Sequence, residues 1–296
     1  MKEKIEFRKV RDFDRSIGDT LLFIKQNFKP LFKSTLYLCG FFILAGMVSS
    51  MITQLQIYDL TDNFNEGNYS ENVSSWSTLY GWRYFLVIIF AILNYTALSA
   101  SVLSFVALYV AKGNVAPNVE EVWSYFKYYF FKMLWAGILV AILWTICFFF
   151  CFFPGVYVTP AFYIVYAVMV LENEEFSTAF SRSFALVKNN WWMTFATIFV
   201  VLIITVACTT IVMLPSYVLT MVGTFTHHEA GLQRGYQIFL SVSQSISQLF
   251  LVIPLVSAAV IYYSLVERKE SVGLLGRIAD FGKPQEEVHH PEEEDY

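Results

Sequence analysis

Apolar and polar positions are laid out along the chain in long blocks. Residues 34–58, 84–111, 133–171, 189–226 and 235–266 contain no Asp, Glu, Lys, Arg or His. A hydrocarbon core about 30 Å thick is crossed by about 20 residues of helix. The first two blocks therefore predict one span each. The third is 39 residues long, too long for one crossing. Pro154-Gly155 is a turn signal and predicts a hairpin of 133–153 and 156–171, with Pro160 starting or kinking the second arm. Pro215 divides the fourth block into a span over 192–214 and a short apolar remainder. The fifth block holds the sixth span. The expected class is an all-α polytopic membrane protein with six transmembrane helices.

Between the blocks the periodicity changes to that of amphipathic helices. Ile17, Leu21, Ile24, Phe28 and Leu31 recur at helical spacing, with Arg15, Asp19, Gln26, Lys29 and Lys33 opposite. Ser16 with Asp19 resembles a capping box, and a surface helix with a membrane-facing stripe is expected. Val119, Val122, Trp123, Phe126 and Phe130 form a second stripe after Pro117-Asn118, with Glu120-Glu121 in the first turn. The third and strongest case is Glu172 to Trp192, where three acids, Arg182 and Lys188 lead into a double tryptophan. On the second span, Ala97, Ala100, Ser101, Ser104, Ala107 and Ala111 share one face and predict close helix packing.

Composition agrees with a membrane protein: 56% of the 296 residues are hydrophobic and 15% are charged, against about 25% charged in soluble domains. The net charge of −4 carries no indication of nucleic acid, because the charges are segregated by segment. Eighteen of the 20 Lys and Arg lie in 1–33, 112–132, 172–190 and 267–296. Only Arg83 and Arg234 lie in the alternate segments 59–83 and 215–234. By the positive-inside rule both termini are cytoplasmic, which agrees with an even number of spans. Residues 1–33 read as a cytoplasmic leader carrying an interfacial helix, without a cleavable signal peptide. Residues 34–266 read as the membrane domain, and 267–296 as a cytoplasmic tail. Leu274, Leu275, Ile278 and Phe281 suggest a short surface helix there, and the acidic end, with His289 and His290, reads as disordered.

Few residues offer chemistry. Cys39, Cys147, Cys151 and Cys208 all fall in apolar runs, so a disulfide framework is not expected, and Cys147 and Cys151 read as packed apolar residues rather than a metal pair. His227-His228-Glu229 offers no plausible ligand set. Asn68-Tyr-Ser70 and Asn72-Val-Ser74 match the glycosylation sequon, which matters only in a eukaryotic source. Catalytic residues, metal and cofactor are expected to be none. Gln237, Ser241, Gln244, Ser245 and Gln248 form a polar stripe on the last span, read as hydrogen bonding across helices in preference to a wet pathway. Asn94 is the most polar group near the middle of the second span.

The surface segments repeat. Phe23-Ile-Lys25-Gln-Asn27-Phe28, Tyr125-Phe-Lys127-Tyr-Tyr-Phe130 and Leu186-Val-Lys188-Asn-Asn190-Trp191 each place a lysine flanked by aromatic or apolar residues just before a span. The chain reads as three parallel units of surface helix, span, span, with three amphipathic interfacial helices in all. Parallel units contrast with the inverted repeats common in transporters.

Glu172, then Ala179, Arg182-Ser183, Leu186, Lys188, Asn190 and Trp191, resembles the membrane domain attached to glycerophosphodiester phosphodiesterases and the related stand-alone six-span bacterial membrane proteins. The resemblance extends over about residues 15–270, with this motif its distinctive part; Asn189 stands where that family often has glycine. It implies a bacterial inner-membrane protein of unassigned biochemistry. The hydrolytic activity of the fused relatives is not implied, since their enzyme is a separate barrel of about 250 residues and no polar segment here approaches that length.

The functional expectation is a non-catalytic protein that binds membrane lipids, anionic ones included, or scaffolds a protein partner. The alternative is a transporter or channel for a small polar or amphipathic solute, although the spans lack the ionisable groups that ion-coupled transport uses. Glu172, Arg182, Lys188, Asn190, Trp191 and Trp192 are the candidate site. Arg182 has two compatible readings: contact with a lipid phosphate, with Lys188 at the same level, or an internal clamp onto Glu172, Glu174 or Glu175.

Overall fold

The computed structural model describes residues 4–65, 81–150, 152–226 and 230–271. The sequons at Asn68 and Asn72, Cys151, the His227-His228-Glu229 cluster and the tail from 272 onward, with its expected short helix and His289-His290, lie outside the described residues. The described residues form α1 (Phe13–Gln26), α2 (Phe28–Asn65), α3 (Trp82–Ala111), α4 (Val119–Phe150), α5 (Phe152–Leu171), α6 (Phe176–Val187), α7 (Trp191–Thr226), α8 (Ala230–Ser247), a 3-10 turn (Gln248–Leu251) and α9 (Val252–Glu270), with no strand among them. Six stretches are long and apolar enough to cross a membrane, the sixth running from Arg234 to Glu270 through α8 and α9. The protein is a multi-pass helical membrane protein.

The three units are visible in the packing. The second span of each unit, α3, α5 and α9, lies at the centre, and all three touch one another. The first span of each, α2, α4 and α7, lies outside. Each outer helix packs on its own partner and on the inner span of the preceding unit: α4 on α3, α7 on α5, and α2 on α8. The reason is compositional. Small residues on α3 (Ala97, Ala100, Ser101 and Ser104, all fully buried) let backbones approach closely. Outer helices instead expose Phe41, Trp135, Val206 and Ile211, which suit lipid. Tyr163 hydroxyl donates to the Pro254 carbonyl over 2.7 Å and joins α5 to α9.

Several expected boundaries move. The first surface helix stops at Gln26, with Asn27 out of helical geometry before α2. Its cap is Asp12, not Ser16, whose hydroxyl donates to the Asp12 carbonyl inside the first turn. Asp19 pairs instead with Arg11 over 2.6 Å. The buried face is Ser16, Thr20 and Phe23; of the expected stripe, Leu21 and Phe28 are exposed and Leu31 is buried in α2. The second surface segment is continuous with its span in α4, where the Glu121 carboxylate accepts the Asn118 backbone N–H, so a capping arrangement forms there. α4 ends at Phe150 and α5 begins at Phe152, the two packing as the expected hairpin, and Pro154 sits in the first turn of α5, where a missing N–H costs nothing. Pro160 lies buried inside α5. Pro215 does not divide α7, which runs through it.

The leader before α1 is part of the core. Phe7 is buried edge-on against Phe23, Tyr263 and Tyr109, with ring centres 5.0, 5.4 and 6.0 Å away. Arg11 is fully buried; its guanidinium donates to Asp19 and to the carbonyls of Phe7, Lys9 and Glu6. Its backbone N–H donates to the Ser264 hydroxyl over 3.0 Å, and its carbonyl accepts from Arg268 over 2.7 Å.

Candidate functional site

Glu172 closes α5, and α6 starts four residues on, after Asn173 takes a positive φ of 55° that reverses the chain. Ala179, Ser183 and Leu186 fall three or four residues apart, so α6 buries that face against α5 and α9. Phe176, Phe180 and Phe184 form a ladder beside it that packs on Phe162. This register turns Arg182 toward the ends of α5 and α9. Its Nε lies 3.1 and 3.2 Å from the two Glu172 oxygens, and its Nη2 lies 2.5 Å from Glu270. Tyr262 donates its hydroxyl hydrogen to Glu172 over 2.9 Å. Burial disfavours the charge on Arg182, but the hydrogen bonds and charges of Glu270 and Glu172 outweigh it, so its pKa is raised further. Of the three acids near it in sequence, Glu172 is the partner. Glu270 and Tyr262 carry no signal in the local sequence, because they arrive from α9.

The other motif residues face a different space. Lys188 ends α6 and is exposed. Asn190 holds the start of α7, its carbonyl accepting the Thr194 N–H and hydroxyl. Trp191 donates its indole N–H to the Tyr157 carbonyl over 2.8 Å and stacks on the Tyr157 and Phe195 rings. Trp192 points outward and is 78% exposed. Together they line an open groove of about 1110 Å³, whose opposite wall is Phe152, Phe153, Pro154, Val156 and Tyr157. No acid lies in this lining among the described residues. Glu172 and Arg182 are not in it. The structure thus separates the expected site into a closed clamp and an open groove.

The groove also joins segments that the charge pattern placed apart. Positive-inside counting sets the α4–α5 bend and Lys188 on opposite faces of the membrane, yet the first turns of α5 meet the α6–α7 junction. Residues 133–171 contain no charge, so the rule has nothing with which to orient that bend.

The polar stripe lies elsewhere. Gln244 accepts from Gln54 of α2 over 3.1 Å, Gln248 accepts from Asn94 of α3, and Ser243 accepts from Ser216 of α7 over 2.7 Å. The Gln237 carbonyl accepts the Ser241 hydroxyl within α8. These groups tie α8 and the 3-10 turn to their neighbours, and none lines the groove. Among the described residues no three His, Cys, Asp or Glu groups cluster as metal ligands do.

Hollows recur at matching positions of the repeat. Lys25, Gln26 and Asn27 line one of about 780 Å³, and Tyr125, Tyr128 and Tyr129 one of about 500 Å³. Both match the groove at Lys188 in sequence position, but they lie against the C-terminal ends of α3 and α5, whereas that groove lies against the first turns of α5.

No curated protein and no solved structure matches the chain. One family model does, covering residues 156–286, from the first turns of α5 through the clamp, the Lys188–Trp192 junction and the last span. Over that part, the chain is similar to the family described as the membrane domain of glycerophosphoryl diester phosphodiesterase, as the motif from Glu172 to Trp191 indicates.

Proposed function

We propose that this is a non-catalytic integral membrane protein of the bacterial cytoplasmic membrane, with both termini cytoplasmic, and that it binds membrane lipid. The observation that carries this reading is the hollow found in each unit at the end of its surface segment, just before a span. Lys25 and Lys188 are in two of the linings, and beside the hollow of the second unit Lys132 lies over the ring of Tyr128, which lines it. Ammonium groups beside rings suit anionic headgroups. The clamp, by contrast, spends Arg182 on two carboxylates. A transport reading would use the Gln237–Gln248 stripe as its path, but the Gln244 and Gln248 amides are engaged with neighbouring helices and the Ser241 and Ser245 hydroxyls with carbonyls of α8 itself.

The test is extraction of the full chain into native nanodiscs, with mass spectrometry of what accompanies it. Enrichment of an anionic lipid over the bulk membrane is the expected result. Bulk-like lipid with a stoichiometric protein partner would overturn the lipid reading in favour of a scaffold. Bulk-like lipid with solute flux in liposomes would overturn it in favour of a transporter.

A further inference from the structure

We infer that the groove between the first turns of α5 and the α6–α7 junction is a site for one anionic phospholipid, its phosphate at Lys188 and Asn190 and an acyl chain along Phe152, Phe153 and Tyr157. This rests on the lipid-binding reading above and gives it a place. The lining has two ends of different chemistry. One holds a single cation and the amides of Asn189 and Asn190; the other is apolar and aromatic, with Phe152 and Phe153 exposed. Among the described residues no acid in the lining neutralises Lys188. The groove also sits at the start of α7, a helix of 36 residues whose first turn adds partial positive charge. An amphiphile with one negative head and a long apolar chain matches both ends at once. A soluble anion would leave the aromatic wall empty, and an apolar peptide would leave Lys188 without a partner.

Rigidity supports the assignment. Trp191 is held by the Tyr157 carbonyl and stacked between Tyr157 and Phe195, so one wall is fixed before any ligand arrives. The volume of about 1110 Å³ is that of a large ligand pocket rather than of a bound ion.

The experiment uses the full chain in nanodiscs of phosphatidylcholine with a minor fraction of phosphatidylglycerol carrying a diazirine on its acyl chain. After irradiation the labelled peptides are mapped. Label is expected on 152–157 and 191–195, and it is expected to fall at least five-fold in Lys188→Gln and in the groove-filling Val156→Trp, while Arg182→Lys keeps it. Diazirine phosphatidylcholine is expected to label these peptides no more than other lipid-facing segments. Label spread evenly over lipid-facing helices whatever the headgroup, in a protein that still enriches anionic lipid, overturns the groove and leaves the lipid reading standing. Absence of enrichment overturns both. A second copy or a peptide cross-linked at 152–157 also overturns the groove as a lipid site.

Discussion

Tyr262 of α9 and Glu172 at the end of α5 are 90 residues apart in sequence and joined by a 2.9 Å hydrogen bond. The same Glu172 carboxylate takes Arg182, so one side chain ties α5, α6 and α9 together. A hydrogen bond to a charged group contributes roughly 1.5–3 kcal/mol, and partial exposure here reduces it. Tyr262→Phe is expected to lower stability by about 1–2 kcal/mol. Glu172→Gln should cost more, because it weakens the Arg182 contact as well. Thermal unfolding in detergent checks the order; equal effects would mean that the Arg182–Glu172 contact adds nothing to stability.

The sign of the pH dependence follows from the raised Arg182 pKa. A cation whose pKa is raised on folding contributes stability below its unfolded value, which for arginine is above about 12, and loses it only as the pH passes the folded value. The stability gap between wild type and Arg182→Gln should therefore stay constant from pH 7 to 9. A gap that shrinks over this range would show that another titrating group controls the clamp.

Arg11 supports a prediction that the sequence pattern did not suggest. It is buried, with one carboxylate and three carbonyls around its guanidinium. Removing one partner of such a set costs roughly 3–5 kcal/mol. Arg11→Ala is expected to release the leader and expose it to limited proteolysis, whereas Arg8→Ala, at an exposed position, should not. Equal protection in both variants would mean that Phe7 alone holds the segment.

These contacts show where sequence reading stops. The spans were legible because charge is excluded from whole blocks, and the packing face of α3 because its small residues recur at helical spacing. The central motif was legible as a unit, and its pairing with Glu172 lay within reach of local spacing. Glu270 and Tyr262 were not, since they depend on α9 lying beside α5. The leader did carry a signal: Ile5 and Phe7 alternate with charged residues, as a half-buried extended segment does. The hairpin that Pro154-Gly155 signals is present with its bounds moved by a few residues, and Pro215 misled, each for a physical reason. Pro154 occupies a first turn that needs no N–H there. Pro215 sits in a membrane helix, where neighbouring groups offset the lost bond, and adjacent Ser216 is anchored to Ser243.

Two glycines separate tolerable crowding from costly crowding. A Cβ at Gly155 would sit 2.6–2.8 Å from three atoms of the Phe148 ring, including the atom that joins the ring to its stem. At Gly137 the clash is with the Tyr166 hydroxyl, the far end of a flexible side chain. Overpacking costs roughly 1–3 kcal/mol. Gly155→Ala should fall at the upper end and Gly137→Ala at the lower. The reverse order in thermal unfolding would mean that the α4–α5 contact at Phe148 is loose.

The Gln54–Gln244 pair tests the role of the polar stripe. Hydrogen bonds between membrane helices average about 0.6 kcal/mol, so Gln244→Leu is expected to cost under about 1 kcal/mol and to leave liposome permeability unchanged. Solute flux in wild type that disappears in Gln244→Leu would make the stripe a pathway and revive the transport reading.

The α4–α5 bend gives a prediction about depth. From Ile146 to Val156 no side chain carries oxygen or nitrogen, and Phe149, Phe150 and Phe153 are 85%, 80% and 81% exposed. Burying one such side chain is worth roughly 1.5–3 kcal/mol, so three left in water would forfeit about 5–9 kcal/mol. Hydrocarbon removes that penalty. In a background with the four cysteines replaced, Phe150→Cys is expected to resist a membrane-impermeant maleimide from either side of the membrane and to react once detergent is added. Asn189→Cys, at the polar end of the groove, should react from one side without detergent. Rapid labelling of position 150 from the face opposite Asn189 would place the bend in water and make α4 and α5 a full transmembrane hairpin, with the groove reached only from within the bilayer.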